Sequence, residues 1–210
     1  MLMPFDLIIF DYDGVLVDSL DEVVKAGNAF CRSIGHDCIV SPETVTTLQP
    51  MTYEQLARSM GLPPDRIEAC SGFVFNKLQQ RGASIPLFPG VEELFRHLAS
   101  IHVGIISGNA SSVIRAKLAA HALDKHVASI LGAYEPGDKA DKIRQACADF
   151  DAHPDRTCMI GDSMSDIQYA KKAGVKSIAV TWGWQSRDTL AEQQPDFIVE
   201  TVSDLQVLLK

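Results

Sequence analysis

The sequence predicts an α/β fold, a doubly wound parallel sheet with a helical domain inserted after the first strand. Three observations carry this. Short apolar runs rich in Ile and Val alternate with helix-like stretches of about 10 to 14 residues, the pattern of a parallel sheet covered by helices. Each apolar run ends near Gly, Ser or Asp, where a strand stops at a turn. Between residues 20 and 85 no convincing strand is present while helical periodicity persists, which sets that segment apart.

In chain order, "LIIF" (7–10) is the first strand, and it stops at Asp11-Tyr12-Asp13-Gly14. Burial of such a run holds its end rigidly, so the two acids emerge from a fixed platform. The stretches "LDEVVKAGNAFCRSI" and "QLARSMGL" have helical periodicity, with breaks at Pro42, Pro50, Pro63 and Pro64. In "PLFPGV", Pro86 and Pro89 stiffen the chain as it returns to the sheet. Helices are then expected at 90–100, 110–123, 139–150 and 165–174, and strands at 102–107, 157–161 and 177–182. The segment "PDFIVETVSDLQVLLK" supplies a last short strand and a closing helix. The expected domains are therefore an α/β core of residues 1–18 and 86–210 and a helical domain of residues 19–85.

With 210 residues, 46% of them hydrophobic and 22% charged, the chain can bury a full core. A formal charge of −8, with no Lys/Arg block, argues against nucleic acid or anionic membranes as partners. A small anionic substrate is compatible with it where a metal ion screens the charge. Cys31, Cys38, Cys70, Cys147 and Cys158 are odd in number and form no Cys-x-x-Cys pair. Neither a zinc cage nor a disulfide framework is expected, and reduced thiols in a cytoplasmic protein fit best. The start "MLMPFDLIIFD" lacks a basic region and its apolar run is cut at Asp11, so a signal peptide is not expected. No stretch approaches the roughly 20 apolar residues of a membrane span.

The residues "GDSMSD" (161–166) place Asp162 and Asp166 four apart at a helix start, one above the other. Taken alone, this is equally well read as an N-cap at Asp162 followed by a solvated Asp166. The reading changes if the strand ends carrying Asp11 and Asp162 are neighbours, because Asp11, Asp13 and Asp162 then crowd one spot. Two such charges at about 4 Å repel by about 4 kcal/mol at an effective dielectric of about 20. A hard divalent cation converts that repulsion into binding, and Mg²⁺ commonly takes one or two carboxylates with waters and substrate phosphate. A calcium loop does not fit: counting from Asp11, Val15 and Leu16 occupy the positions that need an oxygen ligand and a glycine.

The ordered set Asp11-x-Asp13-Gly14-x-x-x-Asp18-Ser19, then Ser107 after an apolar strand, then a lysine near 139, then Gly161-Asp162-Ser163-x-x-Asp166 resembles the haloacid dehalogenase superfamily. Within it, the set is similar to phosphatases of the phosphoglycolate phosphatase type, over essentially the whole chain. The resemblance implies that Asp11 is the nucleophile, forming an aspartyl-phosphate, and that Asp13 transfers protons. It also implies Mg²⁺ bound by Asp11, the Asp13 carbonyl and Asp162, with Asp166 close by, and phosphoryl oxygens cradled by Ser107, the Gly108 amide and a lysine. Lys139 at the helix start is the favoured lysine and Lys142, one turn later, its competitor; the Pro that often follows this lysine in the family is missing from "EPGDKADKIRQA".

Other residues are read as structural. Asn109 is expected to cap the following helix, and His97/His102 and His121/His126 stand five apart rather than at metal-binding spacing. The two Trp of "TWGWQS" (181–186) are expected to pack against the core rim. The resulting expectation is a Mg²⁺-dependent phosphatase, monomer or dimer, acting on a small phosphorylated metabolite, with the helical domain as a cap that excludes water. The alternatives are a phosphomutase similar to β-phosphoglucomutase, a pyrophosphatase, a phospho-receiver domain and a catalytically silent binding protein of the same fold. Against the receiver stand the insert and the Gly-Asp-x-x-x-Asp motif. Against the silent protein stands the presence of Asp11, Asp13 and Asp162.

Overall fold

The computed structural model describes residues 5–209. It divides into two compact units, one made of the chain up to Asp18 and from Leu87 onward, the other of Ser19–Pro86.

The first unit is built on six parallel strands: β1 (Leu7–Phe10), β2 (His102–Ile106), β3 (Ser129–Leu131), β4 (Thr157–Gly161), β5 (Lys176–Val180) and β6 (Phe197–Val199). Their order is β3-β2-β1-β4-β5-β6, so the direction of winding reverses between β1 and β4. At such a reversal the loops leaving the two strands diverge and open a crevice at the carboxyl ends. Pairing of Phe10 with Ile160 puts the ends of β1 and β4 side by side.

Every residue of β1 is buried, as expected for a strand covered on both faces. Leu7 and Ile9 pack on one face with Met159, with Ile143 and Ala146 of α7 (Lys139–Asp149) and with Ala170 of α8 (Met164–Ala173). The opposite face carries Phe10, whose ring stacks 5.6 Å from that of Phe95 in α5 (Val91–His97). Alternation along the strand thus serves both layers. Truncating a side chain such as Ile9 to Ala would cost about 2 to 5 kcal/mol, and this packing is what fixes the strand end.

The second unit is helical, with α1 (Leu20–Ser33), α2 (Pro42–Thr46), α3 (Tyr53–Ser59) and α4 (Pro64–Arg81), and no strand among its described residues. Pro42 and Pro64 do not merely break the chain: each is the first helical residue, where a missing N–H costs nothing. Along α4, Ile67, Cys70, Val74 and Leu78 form a buried stripe, and Phe73 meets Phe30 of α1 edge to face at 5.5 Å. Glu22 in the first turn of α1 reaches Arg81 at the end of α4 at 3.2 Å.

One expectation is overturned here. Cys31 and Cys38 are joined in a disulfide, so the thiols are not all reduced. The chain doubles back after α1 because the Asn28 side chain donates to the Val40 carbonyl (2.7 Å) and accepts from the Val40 amide (3.0 Å). That folding brings Cys38 beside Cys31, a proximity that Cys spacing alone does not signal.

Two elements of the first unit were also not anticipated, the three-residue strand β3 and α9 (Arg187–Glu192), capped by Ser186. The closing helix is α10 (Val202–Leu208), and α6 (Ser111–Ala120) follows β2. Among the described residues, no helix is long and apolar enough to cross a membrane.

Candidate active site

The site lies at the carboxyl ends of β1, β2 and β4. Asp11 follows β1 directly, and its amide donates to the Ile160 carbonyl at 2.9 Å, which extends the β1–β4 ladder by one bond. One Asp11 oxygen accepts from the Tyr12 amide at 2.7 Å and the other from Lys139 Nζ at 2.8 Å. The same ammonium reaches Asp166 Oδ1 at 2.6 Å. Lys139 is presented from the first residue of α7, whose start is fixed by a reciprocal cap between Asp138 and Asp141.

Asp162 and Asp166 are positioned by different devices. The helix cap is Ser163, not Asp162: Ser163 Oγ and its amide both donate to Asp166 Oδ2, at 2.6 and 3.1 Å. Asp166 is therefore buried rather than solvated, with 1% of its surface exposed. Asp162 Oδ2 accepts from the Trp184 amide at 2.7 Å, and Gln185 Oε1 accepts from the Met164 amide at 2.6 Å, locking the loop onto the helix start.

Two glycines make room for Asp162. Gly14, at φ +77°, turns the chain after the Asp-x-Asp pair, and a Cβ there would overlap Asp162 Oδ2. A Cβ on Gly183 would overlap Asp162 Cβ and the Gly14 carbonyl. Oxygens of Asp11, Asp162 and Asp166 consequently lie within 4.8 Å of one another.

Charge is crowded in this arrangement. Burial, aided by the Asp166 charge and opposed by Lys139, pushes the Asp11 carboxyl up to about 7. Burial and the charges of Asp166 and Asp11 push Asp162 well above the usual carboxylate range. Burial works to lower Lys139, but the two carboxylates it touches outweigh this and hold it firmly protonated. Three carboxylates thus share a single ammonium, and burial disfavours ionising Asp11 and Asp162 together without a further cation.

The Asp13 carboxylate is not part of that three-acid group. One of its oxygens instead accepts from Asn109 Nδ2 at 3.3 Å. Ser107 and Gly108 stand at the end of β2, next to β1; Ser107 is buried and its Oγ accepts from the Asn109 amide at 3.0 Å. Lys142 points elsewhere, to the Gly132 carbonyl at 2.5 Å, so Lys139 is the lysine the fold brings to the acids. Asn109 does not cap α6: Ala110 holds that position with no side-chain cap. Trp182 Nε1 donates to the Val15 carbonyl at 3.2 Å.

Residues 8–180 match the family model of the haloacid dehalogenase-like hydrolases. The chain belongs to the haloacid dehalogenase-like hydrolase family. Within this family it is similar to a phosphoglycolate phosphatase of Synechococcus elongatus, 33% identical over 201 residues and covering 94% of each chain. A phosphoglycolate phosphatase of Vibrio vulnificus is 27% identical over 219 residues, covering 95% of this chain and 93% of its own. The fold is shared with a haloacid dehalogenase-like hydrolase of Streptococcus pneumoniae, at a TM-score of 0.89, 23% identity and full coverage of both chains.

The residues not anticipated as parts of this haloacid dehalogenase-like site are Asn109, Gly183, Trp184 and Gln185. The available signals were slight: an Asn two residues past the strand-end Ser, and a glycine between two Trp in a loop that leaves a neighbouring strand.

Proposed function

We propose that this chain is a Mg²⁺-dependent phosphatase that hydrolyses a small phosphorylated metabolite, of the phosphoglycolate or sugar phosphate type, through a phosphorylated Asp11. The observation that carries this is the grouping of Asp11, Asp162 and Asp166 around Lys139 at the β1/β4 crevice. The similarity to phosphoglycolate phosphatases along the whole chain supports the substrate class.

The donor set fits a hard divalent cation: three buried or half-buried carboxylates offering only oxygen, with a single ammonium among them. Asp11, Asp162 and Asp166, with the Asp13 carbonyl, would hold it. A bound Mg²⁺ would neutralise charge on the phosphoryl group and on these acids.

Asp11 attacks phosphorus in line with the departing oxygen, so the phosphoryl group passes to the carboxylate and the ester O–P bond breaks. Asp13 gives its proton to the leaving alkoxide, then takes one from the water that attacks the aspartyl-phosphate and releases phosphate. Lys139, held protonated, offers N–H donors to phosphoryl oxygens while restraining Asp11. Ser107 and the Gly108 amide supply further donors at the neighbouring strand end. The helical unit serves as the cap that excludes bulk water.

The test is a hydrolysis screen over phosphoglycolate, sugar phosphates, pyrophosphate and nucleoside monophosphates with Mg²⁺. Release of phosphate from a small monoester, abolished in Asp11→Asn, is the expected result. Isomerisation of a sugar phosphate without phosphate release would favour a mutase instead.

A further inference from the structure

We infer that Asn109 is a positioning residue for proton transfer by Asp13, a role that rests on the reading of Asp13 given above. The two residues are 96 apart in sequence, and the Asn109 Nδ2 donor lies 3.3 Å from Asp13 Oδ2. Three features fix the Asn109 side chain in that direction. Its own Oδ1 accepts from the Ala110 amide at 3.0 Å, which orients the amide group so that the N–H₂ end faces Asp13. Its backbone N–H is tied to Ser107 Oγ at 3.0 Å and its carbonyl accepts from the Ala133 amide at 2.8 Å, so the turn after β2 is held at both ends. The residue is 2% exposed, leaving the side chain little freedom.

An amide N–H₂ can only donate and a carboxylate oxygen can accept, so the contact sets the rotation of the Asp13 carboxyl group. With Oδ2 engaged by Asn109, the proton exchanged with the leaving group and with the attacking water travels on Oδ1. Because Ser107 and Asn109 share one turn, the residue assigned to the phosphoryl oxygens and the residue that aims the acid are coupled through the Ser107 Oγ bond.

This role makes a prediction that a merely structural Asn would not. Loss of aim at the acid matters most where the leaving group cannot depart without a proton. For Asn109→Leu, the loss in kcat/KM, which reads only the steps up to the aspartyl-phosphate, should be on the order of 10- to 100-fold on ethyl phosphate, part of the roughly 10²–10⁴-fold that a positioned general acid supplies. On dinitrophenyl phosphate, whose leaving group needs no proton, kcat/KM should stay within about threefold of wild type. Asn109→Gln, which keeps the donor, should recover part of the loss on ethyl phosphate, and adding Asn109→Leu to Asp13→Asn should cost nothing further.

Asp13→Asn, measured on the same pair of esters, separates the two readings. A uniform loss of kcat/KM in Asp13→Asn overturns Asp13 as the acid and this inference with it. A graded loss in Asp13→Asn with a uniform loss, or none, in Asn109→Leu overturns the assignment of Asn109 alone.

Discussion

Lys139 and Asp166, 27 residues apart in the chain, meet at 2.6 Å, and the same ammonium reaches Asp11 at 2.8 Å. One buried cation thus answers two acids that would otherwise repel, and in the metal-free protein it carries much of the electrostatic balance. Replacing it leaves those acids facing one another. Lys139→Met should destabilise the metal-free protein by about 3 kcal/mol, the scale for removing one partner of a buried ion pair. Excess Mg²⁺ should return part of that loss. Urea unfolding in chelator and in Mg²⁺ measures both, and an unchanged midpoint in chelator would remove Lys139 from this role.

Lys142 provides the contrast. Its ammonium serves the Gly132 carbonyl, so Lys142→Met should cost about 1–3 kcal/mol of stability by leaving a carbonyl unpaired. Its affinity for Mg²⁺, read by calorimetry, should match wild type. A large fall would place Lys142 in the site instead.

Gly183 is where a single added methyl group should act on metal binding without replacing a ligand. Its Cβ would overlap Asp162 Cβ and the Gly14 carbonyl, pushing the carboxylate from its place. Residues that only orient a ligand typically change metal affinity by about 10- to 100-fold when altered. Calorimetric titration of Gly183→Ala with Mg²⁺ should show a weakening of that order, and equal affinity would refute the positioning of Asp162 by this loop.

The raised Asp11 carboxyl gives a pH dependence with a definite sign. Its ordinary value of 3.8 is pushed up to about 7 in the folded state, chiefly by burial. Between those values the folded protein binds more protons than the unfolded chain, so stability falls as pH rises. Metal-free protein should therefore lose stability from about pH 4 to about pH 7 through this group, a slope that should flatten in Asp11→Asn and in saturating Mg²⁺. Denaturation series across that range check it; a slope identical in wild type and Asp11→Asn would contradict it.

What was legible in the sequence and what was not follows the physics of each feature. Asp11, Lys139, Asp162 and Asp166 could be picked out because unusual side chains stand where buried strands end or helices begin, and β1 and β4 then bring them together. The loop that holds Asp162 works through a backbone amide, that of Trp184, and every residue has one, so no residue type announces it. Asn109 looked like a helix cap because Asn favours caps; only the path of the turn after β2 aims it at Asp13 instead. The strand β3 is three residues long, too short for alternation to register, and it exists through pairing with β2. The Cys31–Cys38 bond depends on a doubling back that Asn28 and Val40 create.

The central claim is that Asp11 carries the phosphoryl group. Quenching the enzyme during turnover of a small phosphate ester, reducing it with borohydride and sequencing the peptides by mass spectrometry tests it most directly, since an acyl phosphate is reduced to the alcohol while a free carboxylate is not. The account predicts homoserine at position 11, dependent on substrate and Mg²⁺ and missing in Asp11→Asn. Steady phosphate release with an unmodified Asp11, or with the alcohol at another acid, would contradict it.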